Sequence, residues 1–218
     1  MLLPKALIFD MDGLMLDSEP LYQEAWQAAA SELGYEIDAE LYMSLIGRSS
    51  AEADQMFLRI FGKAFPVSAF NQRWDALWRM SLDRKGVALK PGLLPLLDWV
   101  GHSKIPSAVG TSSNLQEAER CLSLAGIRDR FSTLVTVDQV AEGKPAPDIF
   151  LAVASRLGVE PEQCLVLEDS NAGVEAAQAA AMSVVMVPDL QVPTEISKAI
   201  ALQILPSLYE VLAWLQGL

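Results

Sequence analysis

The chain has 218 residues, enough for one ordinary domain or one core carrying a smaller insertion, and too few for an assembly of several domains. Hydrophobic residues make up 51% and charged residues 20%, a balance that excludes extensive disorder. Sixteen Lys and Arg against 28 Asp and Glu give a formal net charge of −12 at pH 7, so neither nucleic acid nor an anionic membrane surface is expected as a partner.

The opening stretch MLLPKALIFDMDG lacks a basic region followed by a long apolar run and does not read as a signal peptide. Ala6–Phe9 is a short apolar run ending at Asp10, the pattern of a strand buried on both faces. From residue 17 to about residue 85 the pattern changes. Leu21, Ala25, Ala28 and Ala29, then Met56 and Ile60, then Trp74, Leu77 and Trp78 recur at helical spacing with no convincing strand, which predicts several packed helices inserted after the first strand. The turn-rich Gly86–Gly92 marks the return. Further short apolar runs follow at Ser107–Val109, Thr133–Val137, Cys164–Leu167 and Val184–Val187, mostly separated by helical patterns. That alternation predicts an α/β fold with a parallel sheet. Residues 1–16 and 86–218 are expected to form its core, and residues 17–85 an all-helical insertion.

The tryptophans at 26, 74, 78, 99 and 214 fall on helical faces and are expected to pack in the core. Cys121 and Cys164 lack the spacing of a zinc site and read as buried free thiols. No apolar segment reaches the roughly 20 residues of a membrane span. A cytoplasmic setting is expected. Oligomeric state is not written in the pattern beyond a monomer or a weak homodimer.

Asp10 and Asp12 follow the first strand directly, at the edge where open α/β sheets bind ligands, and Gly13 permits a tight turn. DxDG alone reads equally well as a turn with solvated carboxylates. The fourth candidate strand runs from LVL into Glu168 and Asp169, which serve either as helix-capping residues or, facing Asp10 and Asp12, as ligands for a hard cation such as Mg²⁺. Like-charge repulsion among four carboxylates at one sheet edge favours a cation or protonation. Thr111 ends the strand in AVGTSSN, where its hydroxyl and the next amides, beginning with Ser112, could either cap a helix or grip a phosphoryl oxygen. Lys144 stands in the Pro-rich turn EGKPAPDIF, aimed as a counter-charge in an acidic chain.

The order FDMDG, VGTSS, GKPAPDIF and LEDSNAG resembles the haloacid dehalogenase-like superfamily, in its branch of phosphatases and phosphomutases, over nearly the whole chain. The resemblance implies a Rossmann-like core with a helical cap inserted after the first strand. It implies that Asp10 is a nucleophile forming an aspartyl-phosphate, that Asp12 is the general acid/base, and that Thr111, Ser112 and Lys144 bind phosphate. It further implies that Mg²⁺ is held by Asp10, the backbone carbonyl of Asp12, Glu168 and Asp169. The expected substrate is a small phosphorylated metabolite.

Departures from the family patterns narrow the chemistry. Asp12 argues against carbon–halogen cleavage, because dehalogenase members lack this second acid. LIGRSSAE carries Arg48 where phosphonoacetaldehyde hydrolases use a Schiff-base lysine, and DSEPLYQEAW carries Tyr22 about where β-phosphoglucomutases begin the cap with a histidine. A phosphatase is therefore expected ahead of a mutase, with Tyr22 and Arg48 as candidate specificity contacts. Ala181, in AQAAAMSVV, occupies a position where relatives often end a helix with glycine.

Overall fold

A computed structural model describes residues 3–46 and 50–218. Among the described residues the strands are β1 (Ala6–Phe9), β2 (Leu16–Asp17), β3 (Ala88–Leu89), β4 (Ser107–Thr111), β5 (Thr133–Thr136), β6 (Cys164–Glu168), β7 (Ser183–Met186) and β8 (Gln203–Ile204). The helices are α1 (Glu19–Glu32), α2 (Ala39–Leu45), α3 (Ser50–Ile60), α4 (Val67–Lys85), α5 (Leu93–His102), α6 (Leu115–Leu124), α7 (Asp148–Leu157), α8 (Asn171–Ala179), α9 (Glu195–Ile200) and α10 (Leu208–Gln216).

Six strands form one parallel sheet in the order β5-β4-β1-β6-β7-β8. β1 lies at its centre because all four of its residues are apolar and fully buried, which suits a strand covered on both faces. The register sets Ile8 beside Ala108 and Val166, so alternate residues share a face. Those residues pack with Ile149, Phe150 and Val153 of α7 and Val174 of α8. Each fully buried side chain of this size contributes about 1.5–3 kcal/mol. Leu7, Phe9, Leu165 and Leu167 fill the opposite face, where the Phe9 ring meets Phe131 edge-on at 5.6 Å. The parallel α/β sheet with an all-helical insertion is what the strand and helix patterns predict, and its Rossmann-like form is what the family resemblance implies.

The chain divides into two compact units, Met1–Asp17 with Val87–Leu218 and, separately, Ser18–Gly86. The second unit is helical among its described residues. α1 starts at Ser18 with Pro20 in its first turn, and Phe57, Phe65 and Phe70 build an aromatic core with Tyr42 and Ile37. Of the five tryptophans only Trp78 is fully buried, whereas Trp26, Trp74, Trp99 and Trp214 are half-buried, so helical spacing overstated their burial. Cys121 and Cys164 are free and buried.

Three short elements differ from the sequence pattern. β2 and β3 pair antiparallel through Leu16 with Leu89 and Asp17 with Ala88, and β8 adds a two-residue edge to β7. Two-residue strands have too few positions to show a period, so only tertiary contact defines them.

The α8 helix ends with Ala181 at φ 58°, a left-handed conformation that crowds a Cβ. Replacing Ala181 with glycine relieves about 1 kcal/mol after the entropic cost of glycine is deducted. The expected result is a melting temperature about 2–4 °C higher for Ala181→Gly. An unchanged or lower midpoint in a thermal melt contradicts the strain.

Candidate active site

Because β1 sits between β4 and β6, the chain winds outward in both directions from it, and the carboxyl ends of these three strands enclose the crevice where open α/β sheets bind ligands. Asp10 follows Phe9 and is 6% exposed, with its N–H donating to the Leu167 carbonyl at 3.0 Å. The chain then doubles back. Met15 and Leu16 both donate their N–H groups to the Met11 carbonyl at 3.0 Å, and Gly13 N–H donates to Leu16 at 2.9 Å. Gly13 has φ 84°, and a Cβ there would lie 2.3 Å from Asp169 Oδ2. Glycine is thus required twice, for the backbone angle and for room beside a carboxylate.

At the end of β6, Glu168 is 1% exposed. Its Oε2 accepts the Ser170 N–H at 2.6 Å, and its Oε1 accepts from Lys144 Nζ at 2.7 Å. The carboxylate rests against Gly173 of α8, where an added Cβ would lie 1.8 Å from Oε1. Lys144 Nζ also donates to Asp10 Oδ1 and stands 4.8 Å from the Phe150 ring centroid. Ligand oxygens of Asp10, Glu168 and Asp169 all lie within 4.8 Å of one another.

The electrostatics are those of a site short of positive charge. Burial pushes the Asp10 carboxyl up to about 8, with Lys144 opposing and Glu168 and Asp12 reinforcing the rise. Burial, Glu168 and Asp10 likewise hold Asp169 well above the carboxylate range. Burial works against the charge on Lys144, but Asp10 and Glu168 outweigh it and raise the ammonium above its usual value. One ammonium cannot balance three carboxylates. A hard divalent cation ligated by oxygen fits this donor set and would restore full ionisation.

The other predicted residues lie as follows. The Asp12 carboxylate accepts from Ser113 Oγ at 2.8 Å and is not one of the three acids grouped at the sheet edge. Thr111 ends β4, 1% exposed, and its Oγ1 accepts the Ser113 N–H at 3.0 Å. Ser112 is exposed at the same strand end. Tyr22 lies in the helical unit, stacked on Trp78 at 5.2 Å and edge-on to Trp74 at 6.1 Å. Arg48 lies outside the described residues.

Sequence reasoning missed Ser113 and Gly173. The first was in plain view as the third residue of TSS, but only the fold shows that it reaches Asp12. The second stands five residues after Glu168 in LEDSNAG, where glycine inside a helix costs about 1 kcal/mol and so asks for a reason.

Comparison with known proteins places these features in context. Residues 4–181 match the model of the haloacid dehalogenase-like hydrolase family. The fructose-1-phosphate phosphatase YqaB of Escherichia coli is 38% identical over 182 residues, covering 82% of this chain and 94% of the relative. The β-phosphoglucomutase of Bacillus subtilis is 32% identical over 185 residues, covering 82% and 80% respectively. The crystal structure of CbbY from Rhodobacter sphaeroides in complex with phosphate superposes with TM-score 0.83 at 28% identity, over 95% of this chain and 96% of that one.

Gly173 gives a direct test of the cluster. Mg²⁺ at a hundredfold excess over its dissociation constant should stabilise the native chain by about 2.7 kcal/mol, a rise of roughly 5–10 °C in melting temperature. In Gly173→Ala the new Cβ displaces Glu168, so the Mg²⁺-induced rise should largely vanish although alanine suits a helix better. A full rise in that variant would show that Glu168 is not needed where it stands.

Proposed function

This chain belongs to the haloacid dehalogenase-like hydrolase family, and from that premise we propose that it hydrolyses small phosphate monoesters by Mg²⁺-assisted transfer of the phosphoryl group to Asp10. The observation that carries the reading is the placement of Lys144 between Asp10 and Glu168, with Asp169 completing a compact three-acid group at the central strand. That constellation joins a nucleophile to the charge needed to receive a phosphoryl dianion.

The ion would be held by Asp10, Glu168, Asp169 and the Asp12 carbonyl, and when bound it neutralises phosphoryl oxygens and keeps the acids ionised. Lys144 adds positive charge beside Asp10 and keeps that carboxylate oriented. Thr111 and the Ser112 amide hold phosphoryl oxygens at the end of β4. An Asp10 oxygen attacks phosphorus in line, a bond to the phosphoryl group forms, and the bond to the leaving alkoxide breaks. Asp12 gives its proton to that alkoxide. The resulting Asp12 carboxylate then removes a proton from water, which attacks phosphorus and releases phosphate from Asp10. Ser113 donates to one Asp12 oxygen and so fixes the orientation of that carboxyl.

We favour a phosphorylated sugar or a related metabolite. The YqaB relative, at 38% identity, supports that class. Phosphomutase activity is the second reading, favoured by the β-phosphoglucomutase relative. Tyr22, packed on Trp78 at the start of the helical unit, weighs against it, because those mutases carry histidine about there. We place the reaction in the cytoplasm, on the support of two free buried thiols; among the described residues no helix is long and apolar enough to cross a membrane.

The deciding experiment measures inorganic phosphate from a panel of phosphorylated sugars, nucleotides and small acids, with Mg²⁺ and with EDTA. Asp10→Asn keeps the volume and should lower turnover at least about 10⁴-fold with the fold intact. Metal-dependent release lost in Asp10→Asn is the expected result. Turnover undiminished in Asp10→Asn, or equal in EDTA, removes the mechanism. Transfer to a sugar acceptor in place of water would move the assignment to the mutase.

A further inference from the structure

After β7 the chain turns through residues 188–194 into α9, and one side chain fastens this segment to the turn bearing Glu168 and Asp169. Asn171, the first residue of α8, uses the full capacity of its amide. Its Oδ1 accepts from Thr194 N–H at 2.9 Å and from Ser197 Oγ at 2.7 Å. Its Nδ2 donates to Gln191 Oε1 at 3.0 Å and to the Val192 carbonyl at 3.2 Å. The Asn171 backbone N–H donates to the same Gln191 oxygen at 3.3 Å. A backbone donor on one side and a backbone acceptor on the other permit a single amide orientation, since a flip would set like groups against each other.

These bonds exceed what helix initiation requires. Ser170 already caps α8 by accepting the Gly173 N–H at 3.0 Å. The far side of the clamp is firm as well: Ser197 is fully buried, and Thr194 Oγ1 accepts its N–H at 3.1 Å. The same segment carries Asp189, held by Lys90 Nζ at 2.7 Å while that ammonium also donates to Asp17 at 3.0 Å. Asp189 is close enough to contribute to the elevation of Asp169. The segment is therefore fixed at both ends beside the acids. Only Asp169 and Ser170 separate Glu168 from the clamped residue.

We propose that Asn171, with Gln191 as its partner, is a positioning residue that locks the β6–α8 turn so that Glu168 and Asp169 present their oxygens in a geometry set before the cation arrives. The inference rests on the reading of those acids as Mg²⁺ ligands. Partners that orient ligating carboxylates typically change metal affinity 10–100-fold when removed. Asn171 touches neither phosphoryl group nor ion in this account. Its effect passes through the turn.

The test is calorimetric titration of the full chain with Mg²⁺ in the wild type, Asn171→Ala and Gln191→Ala, with thermal melts in EDTA and kinetics on p-nitrophenyl phosphate. Gln191 lies on the surface segment, and its replacement spares the bonds to Thr194 and Ser197, so this variant carries the test where Asn171→Ala fails to fold. The expected result is a Mg²⁺ dissociation constant raised about 10-fold in Asn171→Ala and roughly 3-fold in Gln191→Ala, with kcat recovered at saturating Mg²⁺ and KM nearly constant. Unchanged Mg²⁺ affinity in a folded variant, even one that melts earlier, overturns the inference and leaves Asn171 a purely structural clamp. A wild type that takes up no Mg²⁺ overturns the metal reading itself, and the inference with it.

Discussion

Everything at the carboxyl edge of this sheet follows from a surplus of buried negative charge. Asp10, Glu168 and Asp169 gather within a few ångströms, and Lys144 reaches two of them. Taking such groups out of water is costly unless their charges are opposed and their lone pairs occupied. The structure meets part of that requirement with covalently fixed groups. Ser170 N–H and Lys144 occupy both oxygens of Glu168, and the absence of a side chain at Gly13 and Gly173 leaves room for two carboxylates against backbone. The part left over is a charge deficit, which a divalent cation would fill. In a site arranged this way a bound cation would relieve the repulsion that a phosphoryl dianion otherwise meets from the carboxylates.

The sheet order makes this convergence possible. Asp10 and Asp12 do not by themselves form a compact ligand set, because the Asp12 carboxylate is turned to Ser113. Glu168 reaches Asp10 from a neighbouring strand, and Lys144 reaches both from the return loop before α7. The insertion leaves and re-enters through β2 and β3, whose two-residue ladder closes the gap in the chain.

What the amino-acid pattern made legible was local. The apolar runs ending at Asp10, Thr111 and Glu168 place chemistry-bearing residues at strand ends, and an all-helical stretch between a first strand and a Pro–Gly turn announces an insertion. Ala181 stood out because an alanine occupied a glycine position, and its φ of 58° has a physical meaning independent of any relative. What stayed hidden was relational. Ser113 reaches Asp12 across 101 positions of sequence, and Lys144 meets Asp10 across 134. Asn171 reads from sequence as an ordinary residue of a helical first turn, although four side-chain bonds tie it to residues 191–197. Hydrogen bonds of this kind carry no periodicity, so no local pattern reports them.

The acidic character of the chain now has a functional sense. A net charge of −12 gives a phosphate ester no long-range attraction, since beyond about 10 Å salt screens the field and what remains is repulsive. On the proposed function, capture would come from contact-range groups: the ammonium of Lys144, amides at the β4 end, and a cation held by carboxylates. On that same proposal, the surplus acids that repel a free phosphate are the same acids that would draw Mg²⁺ in, which makes affinity for the anion conditional on the metal. Selectivity follows from that condition. With the ion in place, a monoester dianion would meet both the ion and the Lys144 ammonium, whereas an ester with less negative charge on phosphorus would gain less from either.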